Sequence, residues 1–175
     1  MISFDELERG WAALPPARSG SGTVQLIVLR TGDGQHATPP RVELSPEGAV
    51  IGDRWLVNPN RTDDSHLSFI DSRVARLLVG GEQDRAHLPG DNFHVDLDLS
   101  EAGLPVGTRL RLGTALVEIT AKPHAGCNKF NARLGPDALR WVNEKERRAR
   151  RLRGVYARVI AAGAVSVGQS VIVER

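Results

Sequence analysis

The sequence predicts an α+β fold, mostly β, in which a mixed sheet is covered by a few helices. Two patterns and the composition predict it. Apolar residues fall largely in short runs of strand length, such as 24–29, 67–70, 108–112 and 115–120, bounded by Gly, Pro, Asn and Asp. Helical spacing is confined to a few stretches, near the N-terminus, after residue 71 and after residue 127. With 41% hydrophobic and 25% charged residues, the 175-residue chain has the make-up of a globular protein able to bury a core. No internal repeat or second domain is visible. The expected division is a helix and linker over residues 1–20 and a main domain over 21–175.

Ser3-Phe4-Asp5-Glu6 fits the Ser-x-x-Glu capping box. Phe4, Leu7 and Trp11 follow at helical spacing, and Pro15-Pro16 ends the helix. Val24, Leu26, Ile27, Val28 and Leu29 predict one buried strand from Thr23 to Arg30, closed by the turn Thr31-Gly32-Asp33-Gly34. Arg41 to Leu44 is a second strand candidate, and Ser45-Pro46-Glu47-Gly48 the turn after it. Asn58 to Ser65 is turn-rich and expected to be exposed. His66 to Ile70 reads as a strand, and Asp71 as the N-cap of a helix over residues 72–79 that Gly80-Gly81 stops.

Leu88-Pro89-Gly90-Asp91-Asn92 is a turn into the strand Phe93 to Leu97, whose alternation puts His94 and Asp96 on the face opposite Phe93, Val95 and Leu97. Thr108 to Leu112 and Ala115 to Thr120 pair across Gly113-Thr114 as a hairpin. Helical turns marked by Phe130, Leu134, Leu139 and Trp141 are interrupted near Gly135-Pro136. Val155 to Ile160 and Gln169 to Val173 read as a closing hairpin across residues 161–163.

Several function classes fall away on composition. No apolar run approaches the ~18 residues that span a bilayer, and the N-terminus is acidic where a signal peptide is basic. The expectation is a cytoplasmic protein with no membrane partner. A lone cysteine forbids an internal disulfide framework, which fits a reducing compartment. Net charge is only +2. The cationic stretch 140–153, with seven basic residues against two acidic ones, has a single aromatic, Trp141, so nucleic acid is not an expected partner. Asp63, Asp64 and His66 lie in or beside a Pro/Asn-rich loop and read as solvated turn residues rather than a metal site.

The one cysteine lies in Lys122-Pro123-His124-Ala125-Gly126-Cys127-Asn128-Lys129-Phe130-Asn131-Ala132-Arg133. This places Cys127 in a strand-to-helix loop, beside Lys122, Lys129 and Arg133. A thiol among helix N–H groups and cations suits metal ligation or sulfur chemistry better than it suits a core. His124, three residues away, is close enough for joint metal ligation or for a thiolate–imidazolium pair. A structural zinc site needs four ligands, and one cysteine with five scattered histidines offers no credible set.

The second half of the chain resembles the MOSC domain, the module found at the C-terminus of molybdenum-cofactor sulfurases and as small stand-alone bacterial proteins. The residues that carry the resemblance are Gly90-Asp91-Asn92-Phe93-His94-Val95-Asp96, Leu104-Pro105-Val106-Gly107-Thr108-Arg109-Leu110-Arg111-Leu112-Gly113, Val117-Glu118-Ile119-Thr120, the Cys127 loop, Arg153-Gly154-Val155-Tyr156-Ala157-Arg158-Val159 and Val165-Ser166-Val167-Gly168-Gln169-Ser170-Val171, in that order. The resemblance implies a barrel-like, MOSC-type sheet. It also implies a molybdenum-cofactor-binding or sulfur-carrier protein, with molybdopterin as the cofactor.

In that reading Cys127 is either the metal ligand or the carrier of a persulfide, and His124 is its catalytic neighbour. Lys122, Asn92, Asn128, Lys129, Asn131, Arg133 and Arg153 are the candidate cofactor-binding residues. The activities implied are reduction of N-hydroxylated compounds, which calls for a redox partner, or sulfur transfer. Either needs a cofactor-supplying or sulfur-donor protein. The alternative from a different class is a non-catalytic barrel that binds an anionic ligand or a protein, with Cys127 incidental.

Overall fold

In the computed structural model, which describes residues 1–174, the strand-length runs close into a barrel. The chain runs through α1 (Phe4–Ala12), β1 (Ser21–Ile27), β2 (Leu29–Gly32), β3 (Gln35–Ala37), β4 (Arg41–Ser45) and β5 (Ala49–Val50). It continues through β6 (Leu67–Asp71), α2 (Ser72–Leu78), β7 (Phe93–Val95), β8 (Arg109–Leu112) and β9 (Ala115–Ile119). It ends with α3 (Asn128–Leu134), α4 (Pro136–Asn143), β10 (Val155–Ala161), β11 (Gly163–Ser166) and β12 (Ser170–Glu174). The barrel order is β1-β12-β8-β9-β10-β6-β7, closed by β7 on β1. Its strand pairs are antiparallel except β6 and β7, which α2 connects. Thus the expected α+β barrel with a few covering helices is what the chain forms.

Two apolar clusters hold it together. Inward residues of the barrel strands, among them Val24, Phe69, Phe93, Leu110, Val117 and Val171, fill the interior. Leu7, Ile70, Leu78, Phe130, Leu134 and Trp141 form a second cluster between the four helices and the outside of β6. The N-terminal helix is seated in this cluster: its capping box is formed between Ser3 and Glu6, Leu7 is fully buried, and the indole N–H of Trp141 donates to Glu8 at 2.6 Å.

Two expectations are corrected. The strand expected over Thr23–Arg30 divides at Val28, whose N–H donates to the Asn92 carbonyl at 2.8 Å. Beyond it, β2 leaves the barrel and pairs with β3, because Arg30 N–H is drawn to the Asp53 carboxylate at 2.8 Å. The closing hairpin does not form either. β10 lies between β9 and β6, and β12 lies between β1 and β8. Residues 161–163 lead instead into β11, which pairs with β4 in a separate three-stranded sheet. Gly163 permits this, since a Cβ there would stand 2.4 Å from the Ala115 nitrogen.

Candidate active site around Cys127

Cys127 sits where the barrel meets the helical layer. β9 delivers the chain to the loop, and Cys127 is the N-cap residue of α3 with extended backbone and an exposed side chain. The loop is fastened at both ends. Thr120 Oγ1 donates to the Asp64 carbonyl at 2.6 Å, while the Asn143 amide bonds the N–H and C=O of Gly126 at 2.8 and 3.2 Å. A Cβ at Gly126 would meet Leu139 Cδ1 at 2.7 Å, so a larger residue there would have to displace that side chain. Phe130, fully buried, anchors α3 to the second cluster. The thiol is therefore presented on a fixed frame.

Behind the loop lies a buried charged group that begins with Asp91, which is fully buried. It accepts from His124 Nε2 at 2.7 Å through one oxygen and from Arg153 Nη1 through the other. Burial alone would raise the Asp91 carboxyl, but Arg153 and His124 hold it well below the usual carboxylate range. It is an anion in the folded protein. The His124 ring is pushed down to about 4 by burial and by Arg153, against the pull of Asp91, so it is neutral near pH 7. With Nε2–H donated to Asp91, Nδ1 carries a lone pair and has no hydrogen-bond partner. Tyr156 packs on the ring at 4.2 Å between centroids. Arg153 also donates to the Pro89 carbonyl at 3.2 Å and lies over Phe130 at 4.8 Å, leaving its Nε unpartnered.

In front of this group is a cavity of about 240 Å³ lined by Cys127, His124, Lys129, Arg133, Arg153 and Tyr156. Arg30, the β2–β3 turn with His36, Arg54, Asn58, Ser68 and Gly90 also line it. Its cations differ in how they are neutralised. Arg30 is paired with Asp53 at 2.7 Å and Arg153 with Asp91. Arg133 has no carboxylate partner among the described residues. It bonds His36 Nε2 at 3.1 Å and Pro89 O at 3.5 Å, and its Nε is buried and unpartnered. His36 must accept there, so its Nδ1–H donates to His87 Nδ1 at 2.9 Å, and Arg133, His36 and His87 form a chain. Gly90 makes room for the guanidinium: a Cβ would lie 3.1 Å from both terminal nitrogens. A half-buried, unneutralised guanidinium beside an exposed thiol is a place for an anion.

The MOSC domain model matches residues 60–172, which is most of the chain and contains Asp91, His124, Cys127, Arg133 and Arg153, while Arg30, His36 and Arg54 lie before the matched range. The chain belongs to the MOSC domain family. The family is associated with molybdenum-cofactor binding. Solved structures agree in fold. The YuaD protein of Bacillus subtilis is 15% identical and superposes with a TM-score of 0.66 over 90% of this chain and 98% of its own. YiiM of Escherichia coli is 20% identical, with a TM-score of 0.57 over 91% and 71%. YiiM of Geobacillus stearothermophilus is 17% identical, with a TM-score of 0.59 over 88% and 75%. The sequence finds no significant match among curated proteins.

Within this MOSC domain the residues singled out from sequence divide into those that share the cavity and those that do not. Cys127, His124, Lys129, Arg133 and Arg153 line it together. Lys122 turns away: its Nζ bonds Thr62 and Ser65 and pairs with Asp64 at 3.4 Å. Asn92, expected beside the cofactor, is fully buried and spent on the frame. Its Oδ1 accepts from Ser68 N–H at 3.2 Å, and its Nδ2 donates to Val28 O and Asp53 at 3.2 and 3.0 Å. Asn128 and Asn131 lie on α3 outside the cavity lining. Asn128 is exposed, and Asn131 keeps a buried Oδ1 without a partner.

His124 bonds Asp91 through Nε2, and neither of its ring nitrogens is hydrogen-bonded to the Cys127 sulfur. Asp91, Arg30, His36 and Arg54 escaped the sequence reading. Asp91 carries a signal, the Gly-Asp-Asn turn, although the resemblance points to its neighbour Asn92. Arg30 ends the strand expected over Thr23–Arg30 and His36 follows the Thr31–Gly34 turn, and neither carries a motif. No helix among the described residues is long and apolar enough to cross a membrane.

Proposed function

We propose that this MOSC domain binds the molybdenum cofactor in the Cys127 cavity, with the Cys127 sulfur as the protein's ligand to the metal. The observation that carries the reading is Arg133, a half-buried guanidinium with no carboxylate partner, in the same cavity as the exposed thiol. The residues fit the group. Among the described residues no cluster of three or more His, Cys, Asp or Glu could hold a bare ion, and a metal that brings its own dithiolene needs only one soft ligand from the protein. When bound, that cofactor supplies the remaining coordination and the redox chemistry. Arg133, with Lys129 and Arg54 on the cavity lining, holds its phosphate. Asp91 keeps Arg153 and the neutral His124 in place behind the sulfur, and Tyr156 limits water around the imidazole. His124 Nδ1 offers an acceptor to a protonated group of the cofactor or of a substrate.

Exposure of Cys127 supports a second reading, in which the sulfur takes up sulfane sulfur from a donor protein and hands it on. The two readings differ in what Arg133 does. If it holds a cofactor phosphate, Arg133→Met purified from molybdenum-replete cells retains at least tenfold less pterin than wild type, read by fluorescence of the released and oxidised pterin. Equal pterin in both proteins, or none in either, contradicts the cofactor reading.

A further inference from the structure

The Cys127 loop has two faces, and only one of them borders the cavity described above. On the other is a cleft of about 420 Å³, lined by residues 120–125, 142–144, 147–148 and 151–155 together with Glu101 and Val106. His124, Ala125 and Arg153 line both spaces. The cleft and the thiol cavity are thus separated by the thickness of one loop.

Its lining has a definite chemistry. Val106, Val142, Leu152 and Val155 give it apolar walls. The charges are five cations, counting Lys122, Arg147, Arg148, Arg151 and Arg153, against the carboxylates Glu101 and Glu144. Three of the cations are already neutralised: Lys122 by Asp64, Arg147 by Glu8 and Glu144, and Arg153 by Asp91. Arg148 and Arg151 have no ion-pair partner among the described residues.

Arg151 is the less ordinary of the two. It is half-buried and gives Nη1 to the carbonyls of Leu99 and Leu104 at 3.3 and 2.6 Å. Its backbone is left-handed at φ 51°, a conformation a branched-at-Cβ or bulky side chain rarely adopts. Two more unfilled positions adjoin the cleft: His124 Nδ1 and Arg153 Nε are buried and unpartnered, on side chains 6% and 7% exposed. Both atoms lie behind the wall that the two spaces share, and leaving them without a partner is a cost to the folded state.

We propose that this cleft is a second ligand site, taking a small organic anion with an apolar body, such as an aryl or acyl carboxylate. The anionic end is held by Arg148 and Arg151, and the apolar body lies on Val142, Leu152 and Val155. The ligand lies against the His124 and Arg153 that back the thiol, on the far side of the loop from Cys127, so that it acts on the chemistry at Cys127 through those two residues. That last clause rests on the function proposed above, whereas the binding site itself does not.

The test is a titration of the full chain with benzoate, followed by backbone NMR shifts, with benzylamine as the cation of matching shape. The site predicts saturable shifts with benzoate, confined to residues 101–106, 120–125 and 142–155, and none with benzylamine. Arg148→Glu, an exposed position whose reversal leaves the fold intact, weakens benzoate at least tenfold. Arg151→Gly, which suits the left-handed backbone while removing the guanidinium, does the same. Cys127→Ser binds benzoate as wild type does.

No saturable shift, shifts mapped elsewhere, equal response to benzylamine, or unchanged affinity in Arg148→Glu would each overturn the site. Benzoate binding that persists in a protein devoid of both molybdenum and labile sulfur keeps the site and removes the function proposed for Cys127.

Discussion

Arg153 and Arg133 bring the same charge to the same cavity and answer to different needs. Arg153 neutralises a fully buried carboxylate, so Arg153→Met leaves Asp91 charged with only the neutral His124 beside it and is expected to cost on the order of 3–5 kcal/mol, read from the urea midpoint. Arg133→Met orphans no carboxylate. Its stability is expected to stay within about 1 kcal/mol of wild type while bound pterin is lost. A large loss of stability at Arg133 with little at Arg153 would reverse these assignments. Residues of this kind were partly legible in the sequence. Cys127, Lys129 and Arg133 lie within seven positions of one another, and a helical turn suffices to gather them. Asp91 and Asn92 could not be told apart by type, because neighbours on a turn point to different sides. The fold buries Asn92 on Ser68, Val28 and Asp53 and turns Asp91 to the charged group.

Elements hold the site through close backbone approaches that only glycine allows. At Gly154, one residue after Arg153, φ is 100° and a Cβ would stand 2.0 Å from the Phe69 carbonyl oxygen. Gly154→Ala is therefore expected to loosen the β10–β6 seam, with a loss of about 3 kcal/mol or more and a matching fall in thermal midpoint. An unchanged midpoint would show that the seam yields freely. The hairpin of β8 and β9, α2 with its Asp71 cap, and α1 with its capping box could all be read from the sequence, because their signals are local. The division of β1 from β2 and the exit of β11 to another sheet could not. Each depends on a partner far along the chain, Asp53 for Arg30 and β4 for β11.

For the molecule as a whole, pH dependence follows from histidines held neutral. His124 and His94 are both pushed down to about 4, chiefly by burial. Burial shifts His36 and His66 in the same direction. A group whose folded pKa lies below its unfolded value leaves the native state with fewer protons, so its contribution is complete above about pH 6.5 and is lost as pH falls toward 4. The upper bound is about 3 kcal/mol for each of the two deeply shifted rings. Asp91, held low by Arg153 and His124, adds a further loss below the ordinary carboxylate range.

Chemical denaturation between pH 7 and 4.5 is therefore expected to show falling stability, less steep in His94→Gln, and a flat profile would contradict neutral buried histidines. The measurement that reaches furthest is molybdenum, pterin and intact mass on wild type and Cys127→Ser, purified from molybdenum-replete cells without added reductant. Near-stoichiometric molybdenum and pterin in wild type, with molybdenum lost in the variant, is the expected result. A mass gain of about 32 Da, one sulfur atom, with no metal would assign the sulfur-carrier role instead. Neither adduct, even after incubation with cofactor and with a sulfur donor, would contradict any chemistry at Cys127.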